Sequence, residues 1–229
     1  MDNDGNGYIL EVENLSVKLQ NQMVLENVSF KLKKGTTLAI VGPNGAGKTV
    51  LLKTLFNLIP HEGKISWTNK VKIGYVPQLL SVHDIPISVK EFLSFKHISN
   101  IEGSLKSVGL DSKKILDKSL GALSGGQLRR VLIAWAIIDK PNVLLFDEPT
   151  TGVDLDTEEA IYEMLRRLTK ENGITLLLAS HDIHIIRDFS DYMLALDRCI
   201  VFYGESKEIM NPSLQRTIYG EEHTCVFEA

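Results

Sequence analysis

The stretch Gly42–Thr49 reads GPNGAGKT and matches the spacing G-x-x-x-x-G-K-[ST]. Gly45 and Gly47 let a backbone curl until its N–H groups point inward at an anion, where a side chain would obstruct. Lys48 adds a cation to that curl and Thr49 a hydroxyl. Such a loop grips phosphate. Lys48 is expected to reach the β- and γ-phosphates of a nucleotide and Thr49 to hold Mg²⁺, with the positive end of the following helix behind them. Kinases, GTPases, motors and pumps all use loops of this kind, so the loop names a ligand class and leaves the activity open.

Two other stretches can complete the chemistry. NVLLFDE carries Asp147 to the rim of a buried apolar strand, with Glu148 next. Asp147 suits the hydration shell of Mg²⁺, and Glu148 is placed to orient and deprotonate an attacking water. Alone, such a pair is an acidic turn after a strand; beside a phosphate loop it supplies the carboxylate that the magnesium requires. LSGGQ, Leu123–Gln127, precedes the helix-like run LRRVLIAWAII. It sets a second group of free N–H donors and the Ser124 hydroxyl at a helix start, so one chain owns two anion-binding helix N-termini.

The elements that must position these residues are legible in the patterning. YILEVENLSVKL and LENVSFKLKKG alternate apolar and polar as strands do, and TTLAIVG is a short buried strand running into the phosphate loop. After Lys48, TVLLKTLFNLI has helical periodicity and is expected to stop at Pro60. ISVKEFLSFKHI and SLKSVGLDSKKILDKSLGAL read as helices of a more polar region, Leu79–Ala122. NVLLF and GITLLLAS then return to buried strand, and between them Ala160, Ile161, Met164, Leu165 and Leu168 form one helix face. Strands alternating with helices predict an α/β fold with a parallel sheet and ligands at the strands' carboxyl ends.

Composition excludes several classes. The chain of 229 residues is 44% hydrophobic and 24% charged, the balance of a globular protein. Its formal net charge of -4 lacks the basic footprint of a nucleic-acid binder, so no nucleic-acid partner is expected. The longest apolar run, Val131–Ile138, is far short of the ~20 residues a bilayer span needs. Cys199 and Cys225 fit no zinc or redox spacing; a disulfide between them is the alternative, and free thiols in a reducing cytosol are expected.

Over essentially its whole length the sequence resembles the ATP-binding cassette (ABC) family, on the ordered motifs GPNGAGKT, LSGGQ and NVLLFDE together with YVPQ, TTGVD and ASHD. The resemblance implies a P-loop NTPase with a mixed-sheet RecA-like core, an antiparallel β subdomain and a helical subdomain. It makes Gln78 the Q-loop glutamine, a further contact to Mg²⁺. It places Asp154 at the D-loop and makes His181 the switch histidine that senses the γ-phosphate. It implies ATP and Mg²⁺ as cofactors, the nucleotide being cradled by Gly42, Pro43, Asn44, Gly45, Ala46, Gly47, Lys48, Thr49 and Val50. In such proteins two cassettes stack head to tail, and Ser124, Gly125, Gly126 and Gln127 of one close over phosphates held by the other. The electrostatics agree: a transferring γ-phosphoryl group needs donors on every side, and Lys48 with its loop covers only one.

Two positions depart from the family pattern. Leu19 stands where an adenine-stacking aromatic is usual, with Tyr8 as a substitute to consider, and Val50 stands where a second hydroxyl usually follows Thr49. The segment after Gln78, LLSVHDIPISVKEFLSFK, resembles that of ATPases in zinc and manganese importers, with zinc favoured. The partners implied are a second copy, integral membrane permease subunits and, indirectly, an extracytoplasmic metal-binding protein. The expected location is cytoplasmic, on the inner face of the cell membrane. A soluble ABC ATPase of iron–sulfur assembly is the alternative. The expected division is a core lobe of 1–78 and 123–210, a helical lobe of 79–122 and a tail of 211–229.

Overall fold

A computed structural model describes residues 7–68, 70–78, 86–96, 100–149, 155–180 and 183–210. In chain order the first elements are β1 (Tyr8–Leu19), β2 (Gln22–Lys33), β3 (Thr37–Val41), α1 (Lys48–Leu55), β4 (Glu62–Trp67) and β5 (Ile73–Val76). Three short helices follow: α2 (Val89–Ser94), α3 (Ile101–Ser107) and α4 (Ser112–Ile115). The chain continues through α5 (Gly125–Ile137), β6 (Val143–Asp147), α6 (Leu155–Asn172), β7 (Thr175–Ala179), α7 (Ile183–Phe189), β8 (Tyr192–Asp197) and β9 (Cys199–Glu205).

The half-buried alternation of β1 and β2 builds a three-stranded antiparallel sheet in the order β2-β1-β4. The second sheet has six strands in the order β5-β6-β7-β3-β8-β9, parallel except for the β8–β9 pair. In β3, β6 and β7 every residue is buried, as a parallel sheet covered on both faces requires. The mixed sheet, the antiparallel sheet and the helices match the α/β expectation.

Strand parity decides which way each residue faces. Ala39, Val41, Leu144, Phe146, Leu176 and Leu178 pack into the core beneath α5 and α6. Their neighbours Leu38, Ile40, Val143, Leu145, Leu177 and Ala179 pack on the other face, with Leu51, Leu52 and Leu55 of α1 and the small sheet. Continuing that alternation, Asp147 points to the α1 face, the side on which Lys48 and Thr49 begin their helix.

Two helix expectations need correction. α1 ends at Leu55, well before Pro60: Asn57 turns at φ 61°, and Trp67 Nε1 satisfies the Leu55 carbonyl at 3.3 Å. The long run Ser104–Leu123 is not one helix. It breaks after α3, and Asp111 starts α4 by accepting a hydrogen bond from Lys113 N at 3.1 Å. The following segment then trades helical bonds for backbone bonds to a neighbouring stretch, Val89 N to Lys118 O (2.9 Å) and Leu120 N to Ile87 O (3.0 Å). Cys199 is disulfide-bonded, against the free-thiol expectation; Cys225 lies outside the described residues.

Candidate active site

The phosphate loop leaves the end of β3 and turns into α1. Gly47 sits at φ 100°, and a Cβ there would lie 2.7 Å from Leu25 Cδ2 and 3.1 Å from Val24 O, so β2 presses on the loop from outside. Both the left-handed backbone and the lack of room demand glycine. Lys48 is only 6% exposed, and its ammonium donates to Gly42 O at 2.8 Å and Pro43 O at 3.0 Å. Burial pulls its pKa below the ordinary value, while the Glu148 and Asp147 carboxylates oppose that shift. A cation held by two carbonyls, under an exposed lip of Pro43, Asn44 and Gly45, is poised for an anion to replace those carbonyls.

Thr49 Oγ1 donates to Asp147 Oδ1 at 3.0 Å, joining the start of α1 to the end of β6. Asp147 is fully buried, and its carboxylate is faced by the buried hydroxyl of Tyr75 as well as by Thr49. Burial raises the Asp147 pKa, with the Thr49 hydrogen bond acting against it. A dry carboxylate beside a threonine hydroxyl, all hard oxygen atoms, is a donor set that a hard divalent cation fits.

Beyond Asp147 the chain turns sharply. Glu148 takes φ 46°, with its N–H bound to Ala179 O at 2.9 Å. Gln78, one residue past Pro77 at the end of β5, donates from Nε2 to Glu148 Oε2. Lys48, Thr49, Gln78, Asp147 and Glu148 therefore gather where β3, β5 and β6 end, although the sequence scatters them widely.

Ser124 stands at the exposed start of α5 with a reciprocal cap: its hydroxyl accepts from Gln127 N at 3.2 Å, and Gln127 Oε1 accepts from Ser124 N at 3.3 Å. Gly126 packs against α6, where a Cβ would lie 2.7 Å from Thr157 Cγ2. That contact explains the second glycine of the motif. Asp154 and His181 lie outside the described residues.

Comparison with known proteins decides among the phosphate-loop enzymes. Residues 25–151 match the ABC transporter family. A zinc import ATP-binding protein, ZnuC, of Rickettsia conorii is 35% identical over 205 residues, covering 88% of each chain. The chain belongs to the ABC transporter ATPases.

Solved structures agree with that assignment. An inward-facing metal-chelate type ABC transporter superposes at a TM-score of 0.82, with 27% identity over 93% of this chain and 89% of the other. A dimeric ATP-binding cassette in a post-hydrolysis state, bound to ADP and Pi, superposes at 0.72 with 27% identity, over 86% and 98% of the two chains. The present ABC ATPase is accordingly an ATP-hydrolysing transporter subunit. Among its described residues, no helix is long and apolar enough to cross a membrane.

Leu19, at the position where the family pattern has an adenine-stacking aromatic, lies in an exposed aliphatic turn. Leu19 and Met23 are 37% and 44% exposed where β1 turns into β2, the strand that flanks the loop. Tyr8 is no substitute stacking residue. It pairs with Lys33 and lies under Lys31, near Tyr192 and the start of β3, at the far end of the sheet from the loop. Arg129, a buried cation in the helix of the LSGGQ motif, joins the site without being singled out by the motifs. The only signal was an arginine pair, Arg129–Arg130, inside an otherwise apolar run.

Proposed function

We propose that two copies of this chain bind ATP between them, head to tail, and that their closure drives import of a divalent metal, zinc first. The observation that supports the catalytic part of this reading is the pair of contacts Thr49–Asp147 and Gln78–Glu148, gathered beside the phosphate loop. In this reading Lys48 and the N–H groups of Gly42–Val50 hold the β- and γ-phosphates. Thr49, Asp147 and Gln78 would hold Mg²⁺, which would supply charge neutralisation at the phosphoryl oxygens. Glu148 takes a proton from the attacking water, and Gln78 fixes the direction of its carboxylate. His181 donates to the γ-phosphate, and Asp154 lines the seam between the copies.

The second copy is needed because the loop covers one side of the phosphate chain only. The capped, exposed start of α5 offers Ser124, Gly125, Gly126 and Gln127 to a partner's nucleotide. The dimeric cassette with ADP and Pi supports that arrangement by similarity. Zinc as cargo is supported by the Rickettsia relative's name and by the segment after Gln78. A core of 1–78 and 123–210 would then carry catalysis, with 79–122 facing integral membrane permease subunits on the inner face of the membrane and 211–229 as a tail. An extracytoplasmic metal-binding protein would deliver the ion.

The test is co-purification followed by reconstitution with the recovered membrane subunits in proteoliposomes. ATP-dependent accumulation of zinc above manganese is expected. Recovery of a soluble iron–sulfur assembly partner in place of a permease would overturn the import reading.

A further inference from the structure

Arg129 is 5% exposed, in the second turn of α5. Its guanidinium forks over three carbonyl oxygens: Nη1 donates to Pro77 O at 2.8 Å, and Nη2 to Gln78 O at 2.8 Å and Glu148 O at 3.0 Å. It also lies over the Phe146 ring, 5.8 Å from the centroid. Burying a guanidinium is costly. Burial lowers its pKa, and the nearby Asp147 and Glu148 charges oppose that shift. A packed apolar side chain would fill the same space at less cost, so the cation must answer a need of the three carbonyls.

That need lies in the backbone they belong to. Glu148 sits at φ 46°, a strained region for a glutamate. Its N–H is tied to Ala179 O and its carbonyl to Arg129, so the strained turn is held from both sides. The same guanidinium holds the carbonyl of Gln78, whose side chain donates to the Glu148 carboxylate. One group thus fixes the base, the glutamine that orients it, and the helix that opens with Ser124.

We infer that Arg129 is a positioning residue for hydrolysis: it locks Glu148 and Gln78 into the geometry for water activation and ties that geometry to the LSGGQ helix. It touches no substrate and acts through Glu148. The role rests on the reading of Glu148 as the base. A lysine cannot replace it, because one ammonium on a flexible stem lacks the planar fork that spans three acceptors.

The test is a double-mutant cycle on the full chain, reading steady-state ATP hydrolysis and equilibrium ATP binding with Arg129→Lys and Glu148→Gln. Arg129→Lys is expected to lower kcat about tenfold or more while the ATP Kd changes by less than about twofold. In the Glu148→Gln background the same substitution is expected to cost less than about twofold, since the group it positions is gone. Equal losses in both backgrounds, Kd weakening in step with kcat, or no loss of kcat would each overturn the proposal. If Arg129→Lys does not fold, Arg129→Gln takes its place; failure of both to fold would assign Arg129 a purely structural role and also overturn it. Full turnover by Glu148→Gln alone would instead remove the base assignment, a separate outcome read from the single variant.

Discussion

Thr49 Oγ1 and Asp147 Oδ1 meet at 3.0 Å across 98 residues of chain, and the Asp147 carboxylate is shut away from water. In the absence of a cation this is a stability cost, because a raised carboxyl pKa means that the folded state resists the charge. The sign follows from linkage. A folded-state pKa above the unfolded value favours folding at low pH and loses that contribution as pH rises through the folded value. Asp147→Asn keeps an acceptor for Thr49 and removes the charge. It is expected to raise the apo Tm at neutral pH, with the gain shrinking as pH falls towards the ordinary carboxyl range. It should also abolish the Mg²⁺-dependent rise in Tm. Scanning calorimetry at several pH values, with and without Mg²⁺ and nucleotide, reads all three.

Glu148→Gln leaves the Gln78 contact a neutral partner but removes the base. Turnover is expected to fall by roughly 10²–10⁴, measured as phosphate release at saturating ATP. The variant should also retain ATP and run as a dimer on size exclusion. A monomer with bound ATP would speak against the shared site.

In the proposed site Lys48 would trade the carbonyls of Gly42 and Pro43 for phosphate oxygens on binding. Removing it by Lys48→Ala deletes a charge-assisted contact worth about 1.5–3 kcal/mol, a weakening of roughly 10- to 150-fold. Equilibrium titration with a fluorescent ATP analogue checks this, and an unchanged Kd would remove Lys48 from the phosphate site.

If the base lies against Leu19 and Met23, little preference between ATP and GTP is expected. Leu19→Tyr is expected to tighten ATP binding by about 2- to 12-fold, the range for one stacked aromatic pair, with hydrolysis chemistry unaffected. Calorimetric titration of both nucleotides against both proteins separates the two effects.

The strands and the catalytic contacts were legible in the sequence for different reasons. GPNGAGKT and NVLLFDE name their residue types and their place at strand ends, whereas the uniformly apolar run of β6 does not tell which face Asp147 takes; the structure's two core clusters do. The run from Ser104 is continuous in helical pattern but not in the fold, since the backbone exchange between 87–89 and 118–120 is a tertiary event with no local signal. The early end of α1 depends on Trp67, twelve residues away, reaching the Leu55 carbonyl. Arg129 was hidden for the same reason. Nothing in an arginine pair tells which member turns inward, and its partners Pro77, Gln78 and Glu148 come from two other strand ends.

The most direct test of the shared site is specific ATPase activity as a function of protein concentration. The account predicts activity per molecule that rises as chains pair and vanishes towards high dilution, with Ser124→Arg abolishing it at every concentration. Activity per molecule that stays constant down to dilutions where only monomers exist would contradict it.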